Sequence, residues 1–245
     1  STPVRVSSPK TCPARWRRFQ PMPGIFFGAP HPDLGRSGPV CPFVPESLKQ
    51  DSFYIAVASG VSDREKIKAC VESVSAVFKN LEPRDGRSAI FKSLMIVFPD
   101  VKAADYESSI DAVQAELKSE FVRQGLMVGQ FHPDQKETGL HSTAFHPFRA
   151  PLPALAIRHM HPADIVFLYS NDFNRGCYLT QFGAEGADRL LEFMERNPQK
   201  IQGEERQRVQ HLCEAIKYGT ANEMRPRPQK PSGSGGCPFK HLHHP

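Results

Sequence analysis

Long hydrophobic runs are missing from this sequence. The longest uninterrupted apolar stretches are about five or six residues, such as 53–58, 94–98 and 165–169, against the ~20 that a membrane-crossing helix needs. A helical membrane span is therefore excluded. No charged-then-apolar leader opens the chain, because residues 1–18 are rich in Pro, Ser and Arg, so the expected compartment is the cytoplasm. There is no Gly-x-Gly-x-x-Gly and no phosphate-loop pattern, so no resident nucleotide site is expected and an electron donor would be external. Cys-x-x-Cys is absent too. The six cysteines, spaced by 29, 29, 107, 36 and 24 residues, suit neither a disulfide framework nor a four-ligand structural zinc. Charge of one sign does not dominate, with 31 Lys and Arg against 26 Asp and Glu. No basic stripe interleaved with stacking aromatics is present, so nucleic acid is not an expected partner.

Proline is abundant. There are 23, and they follow three cysteines (Cys12, Cys41, Cys237) and five histidines (His31, His132, His146, His161, His244). Proline drives the preceding residue into extended backbone, so each of these Cys and His side chains is held out of helix geometry.

Along the chain, residues 1–38 show neither helical nor strand periodicity and read as an irregular N-terminal arm. Residues 45–49 form a helical turn and 52–58 a buried strand. Ser62 and Glu65 make a capping-box pair ahead of Ile67, Cys70, Val71, Val74, Phe78 and Leu81 at helical spacing. On such an apolar face, Cys70 is expected to be a free thiol acting as a small hydrophobe, like Cys213 later in the chain. A strand follows at 93–98, then a helix at 103–124 with Gly125 as its C-cap. Strands are predicted at 126–131 and 155–158, a short helix near 163–169, and helices at 182–196 and 204–217. The predicted fold class is α+β (α/β-like), a small mixed sheet covered by helices with a helical C-terminal region. The domain expected is 39–222, followed by a tail at 223–245 that carries Cys237, His241, His243 and His244.

Between the last two predicted strands lies a loop at 132–153, longer than the ~12–15 residues usual for unstructured connections. His132, His141, His146, His159 and His161 fall in or just beyond it. His132 closes the strand that ends in Phe131 and is fixed by Pro133, which makes it the foremost candidate for a metal or axial haem ligand. Phe131, Met127 and Phe145 would supply apolar walls, and Arg149, Arg158 and His159 a cationic rim. A non-haem iron or zinc site built from His132, His146 and His161 is a further option, without a His-x-x-x-His pair behind it. A strand-ending histidine bonded to a loop carbonyl is the simpler structural alternative. Cys41 stands open between a thiolate ligand and a small apolar residue in a turn.

The Pro39–Phe43 stretch Pro-Val-Cys-Pro-Phe, a strand, two helices flanking a strand, and then Val128-Gly129-Gln130-Phe131-His132-Pro133 resemble the YqcI/YcgG (GntA-like) group of haem-dependent enzymes. The resemblance covers roughly residues 38–175. It implies haem b, with His132 as axial ligand, and a haem-dependent oxidoreductase of the oxygenase or N-oxygenase type acting on a small nitrogenous or aromatic metabolite. His146 and Arg158 would orient bound oxygen. The alternatives are a non-catalytic haem or metal sensor, built on the histidine-rich loop and the Cys-Pro tail, and a metal-free interaction domain with structural histidines.

Overall fold

A computed structural model describes Arg15–Arg18 and residues 26–219. The strands are β1 (Arg15–Arg18), β2 (Phe53–Val57), β3 (Ser93–Val97), β4 (Leu126–Phe131) and β5 (Ala154–His159). They lie in the order β1-β2-β3-β5-β4. β2 and β3 are parallel, whereas β1 is antiparallel to β2 and β5 is antiparallel to both of its neighbours. Strand β1 falls within the stretch expected to be irregular, which its Arg-Trp-Arg-Arg sequence does not betray because it lacks a run of β-branched residues.

The helices α2 (Arg64–Asn80) and α3 (Ala112–Arg123) are the two crossovers. Alternation along the strands sends Tyr54, Ala56, Leu94, Ile96, Leu155 and Ile157 to one face, where they meet Ile67, Val74 and Phe78 of α2 and Leu117 and Phe121 of α3. Each large side chain buried there contributes about 1.5–3 kcal/mol. This face carries the stability. On the opposite face Ile55, Met95, Val97, Gly129, Phe131 and Ala156 are only half-buried, and Val57 is 38% exposed. Phe27 and Phe43, which precede a short helix α1 (Val44–Lys49), and Phe148 of the β4–β5 loop pack on this face against Phe131 and Arg158.

The helix α2 starts one residue later than its Ser62–Glu65 pair suggests. Asp63 is the cap, its carboxylate accepting from the N–H groups of Glu65 and Lys66 at 3.1 and 3.2 Å. A π-helical turn, Tyr106–Asp111, leads into α3. At the far end α4 (Ile165–Leu168), α5 (Asp172–Arg196) and α6 (Gly203–Lys217) build a second core around Met127, Met160, Leu190 and Cys213. Helix α5 begins at Asp172 rather than 182, because its glycines hide the helical period. Gly183 (φ 52°, ψ −130°) kinks it there in a backbone conformation that glycine tolerates.

The architecture is α+β, a mixed sheet with its crossover helices on one face and a helical C-terminal region. Among the described residues no helix is long and apolar enough to cross a membrane. Cys41, Cys177 and Cys213 are free, whereas Cys70 is disulfide-bonded, which corrects its reading as a free thiol.

Candidate functional site

Among the described residues, the histidines that precede prolines have separate structural tasks. His31 and His161 are extended (φ −131° and −124°), as a following proline requires, and each caps a 3-10 turn. Their Nδ1 atoms accept from the N–H groups of Asp33 and Ala163 at 3.2 and 3.1 Å. In the β4–β5 loop, His146 Nδ1 donates to the Glu137 carbonyl at 3.2 Å.

His132 is 3% exposed. Strand alternation turns it to the face opposite Phe131, onto the π-helical turn. There Nε2 donates to Asp111 Oδ1 at 3.0 Å and the ring packs 4.9 Å from Tyr106. Nε2–H is thus the tautomer, and Nδ1 is left buried with no hydrogen-bond partner. This corrects the expectation that His132 sits at the mouth of an apolar slot. Its ring is enclosed, and its partner is a carboxylate.

The other expected site residues do not gather around it. Arg158 lies on the opposite face of β5 from His159. Both terminal nitrogens of Arg158 donate to the Asp164 carboxylate, at 2.7 and 2.6 Å, and the guanidinium stacks 5.0 Å from Phe43. Burial opposes its charge, but the hydrogen bonds and attraction to Asp164 outweigh burial and raise its pKa. Cys41 is a half-buried thiol close enough to Arg158 to interact with it electrostatically, and its backbone N–H donates to the Phe27 carbonyl at 2.8 Å. No group of three or more His, Cys, Asp or Glu side chains that would hold a metal ion occurs among the described residues. Cys237, His241, His243 and His244 lie outside the described residues.

His159 packs 5.1 Å from Phe78 of α2 with Nε2 buried and unpartnered. Burial, reinforced by the charge of Lys92, lowers its pKa from 6.5 to about 4. The folded value lies below the unfolded one, so the stability from the neutral ring is complete above pH 6.5 and is lost as pH falls towards 4. His159→Phe keeps the ring contact and removes the titration. Urea unfolding of this variant at neutral pH and at about pH 4.5 should show an acid-induced loss smaller than the parent's by about 1–2 kcal/mol, allowing for partial exposure of the ring. An unchanged pH dependence would refute the assignment.

On the Phe131 side of the sheet there is an open cavity of about 450 Å³, lined by Phe27, Pro133, Arg149, Ala150 and Pro151. Phe27 stands edge-on to Phe131 at 5.2 Å, and Phe131 in turn to Phe148 at 5.6 Å. Its walls are nearly all apolar, and Arg149 supplies the charge. The Arg149 Nε–H donates to the Gln135 carbonyl at 3.0 Å, while its two terminal nitrogens have no partner among the described residues. Of the expected residues, Arg149 lines the cavity and Phe131 stands behind it against Phe27, whereas His132, His146, Arg158, His159 and Cys41 are not in the lining. Sequence reasoning missed Phe27, Pro151, Asp111 and Gln135. The Pro-Leu-Pro turn at 151–153 was the available signal for one wall, but Asp111 lies 21 residues before its histidine and carries no local mark.

No curated protein and no solved structure matches the chain. A family model described as a domain of unknown function (DUF6875) matches residues 23–192, most of the chain, and the protein belongs to that family.

Proposed function

We propose that the chain binds a small organic acid in the Phe27–Arg149 cavity, the apolar body of the ligand against Phe27, Pro133 and Pro151 and its carboxylate on Arg149. The observation that carries this reading is Arg149, an exposed arginine at the rim of an otherwise apolar cavity whose terminal nitrogens have no partner among the described residues. The cavity is open, with a volume of about 450 Å³, so a ligand would lay one face of its apolar body there and leave the other to solvent. Arginine meets a carboxylate through two parallel hydrogen bonds, which gives orientation as well as affinity. The reading is one of recognition, since no proton-accepting or bond-forming side chain lines the cavity among the described residues.

A haem held by His132 does not fit the residues present. Nε2 is engaged by Asp111, the ring is enclosed, and it lies on the other side of the β4 backbone from the cavity. Among the described residues, neither histidine nor cysteine lines the cavity to supply another axial donor.

The test is calorimetric titration with 4-phenylbutyrate, its uncharged amide, and haemin. A charge-assisted hydrogen bond contributes about 1.5–3 kcal/mol, so the acid should bind roughly 10- to 100-fold more tightly than the amide. Arg149→Gln should abolish that preference while leaving amide affinity within about twofold. Equal binding of acid and amide by the parent, or binding of neither, overturns the proposal. Haemin uptake with a Soret band that depends on His132 would replace it with the haem reading.

A further inference from the structure

We infer that Asp111 is a positioning residue for Arg149, acting through Gln135. The inference rests on the reading of the cavity as a carboxylate site and names what aims its guanidinium. Arg149 sits on an exposed turn of the β4–β5 loop, where a long side chain would ordinarily sample many rotamers. It is tethered by the bond from Nε to the Gln135 carbonyl. The orientation of the guanidinium is therefore inherited from the main chain at 135.

That main chain is fixed from behind. Gln135 is buried, and its side-chain oxygen accepts from the N–H groups of Lys136 and Glu137 at 2.6 and 2.9 Å. Its amide donates to Asp111 Oδ1 at 3.1 Å, the same oxygen that accepts from His132 Nε2. One carboxylate oxygen thereby holds both ends of the turn 132–135. The His132 carbonyl accepts from the N–H of Ala150, directly after Arg149, and from that of Gln135, each at 3.3 Å. Both flanks of the guanidinium are thus tied to a unit whose anchor is Asp111.

The backbone that presents the anchor is irregular in a pertinent way. Asp111 closes the π-helical turn Tyr106–Asp111. Each residue of an α-helix advances about 100° around the axis, so regularising this turn would swing the carboxylate away from the loop. The distortion lies where the carboxylate meets Gln135 and His132.

A purely structural anchor would weaken every ligand alike when removed, whereas a positioning residue should weaken the acid alone. The experiment measures the acid-to-amide affinity ratio for 4-phenylbutyrate and 4-phenylbutyramide in Asp111→Ala, Asp111→Asn, Gln135→Met and Arg149→Gln. We expect Asp111→Ala to reduce the ratio at least about fivefold with amide affinity within about twofold. Asp111→Asn, which retains an accepting oxygen, should restore it. Gln135→Met, which removes the link to Asp111 together with the bonds from the Lys136 and Glu137 N–H groups, should follow Asp111→Ala and serves in its place if that variant does not fold. If Arg149→Gln abolishes the ratio and Asp111→Ala leaves it intact, the inference fails and the cavity reading stands. If acid and amide weaken equally in Asp111→Ala, the role is structural and the inference also fails. A parent protein with no acid preference, or an Arg149→Gln variant that keeps it, defeats the underlying reading instead.

Discussion

Asp164→Ala is expected to cost about 3–5 kcal/mol of unfolding free energy, the usual range when one partner of a buried ion pair is removed. The side chain of Asp164 is 3% exposed and that of Arg158 22%, so water cannot readily replace the lost carboxylate. Arg158 would retain only the His159 carbonyl and the face of Phe43. A second loss accompanies the first. Asp164 also accepts from the His161 N–H at 2.8 Å and closes the capping box of the 3-10 turn Pro162–Asp164, which leads into α4. Urea unfolding checks the magnitude, and a loss below about 1 kcal/mol would mean that the pair is hydrated. Combining Asp164→Ala with Arg158→Met removes the stranded charge and should recover part of the loss, because apolar replacement of a whole buried pair is often nearly neutral. Partial recovery also separates the ion pair from the cap, which the second substitution leaves broken. The same geometry bears on chemistry. Both guanidinium terminal nitrogens are committed to Asp164, so Arg158 is occupied in holding β5 to the start of the C-terminal helices.

How far the sequence discloses this depends on the range of the interaction. Helix α2 and strands β3 and β5 are legible because burial on one face imposes a period on consecutive residues, as in Ile67, Val71, Val74 and Phe78. The start of α5 is not legible. Gly176 and Gly183 weaken local propensity there, and it is packing of Tyr178 and Leu179 into the second core that holds the helix. His132 and Arg149 stand out as residues, but their surroundings do not. Arg149 owes its place to Gln135, and His132 to an aspartate on another element, contacts that no local spacing encodes. The His-Pro pairs suggest ligands on stiffened backbone. That stiffness does position the imidazoles, at His31 and His161 as caps for N–H groups two residues on.

His132→Ala should lower stability by about 2–4 kcal/mol, from the lost ring contacts and the cavity left behind. The ring touches Tyr106 and bonds Asp111, so its removal also takes one donor from a carboxylate that holds the β4–β5 loop. An opposing contribution reduces the net loss. Nδ1 is buried without a partner, and such an atom costs about 1–3 kcal/mol, which alanine relieves. His132→Phe divides these effects by filling the volume and removing the stranded lone pair while sacrificing the bond to Asp111. Asp111 keeps 29% of its side chain exposed and can exchange the lost donor for water, so phenylalanine should be the milder substitution by about 1–2 kcal/mol. The same two variants decide whether the imidazole meets a ligand. With the ring facing the π-helical turn, both should take up haemin as the parent does, or fail to do so alike, in an absorption titration. A Soret band present in the parent and absent from folded His132→Phe would mean that the ring leaves Asp111 and reaches the iron.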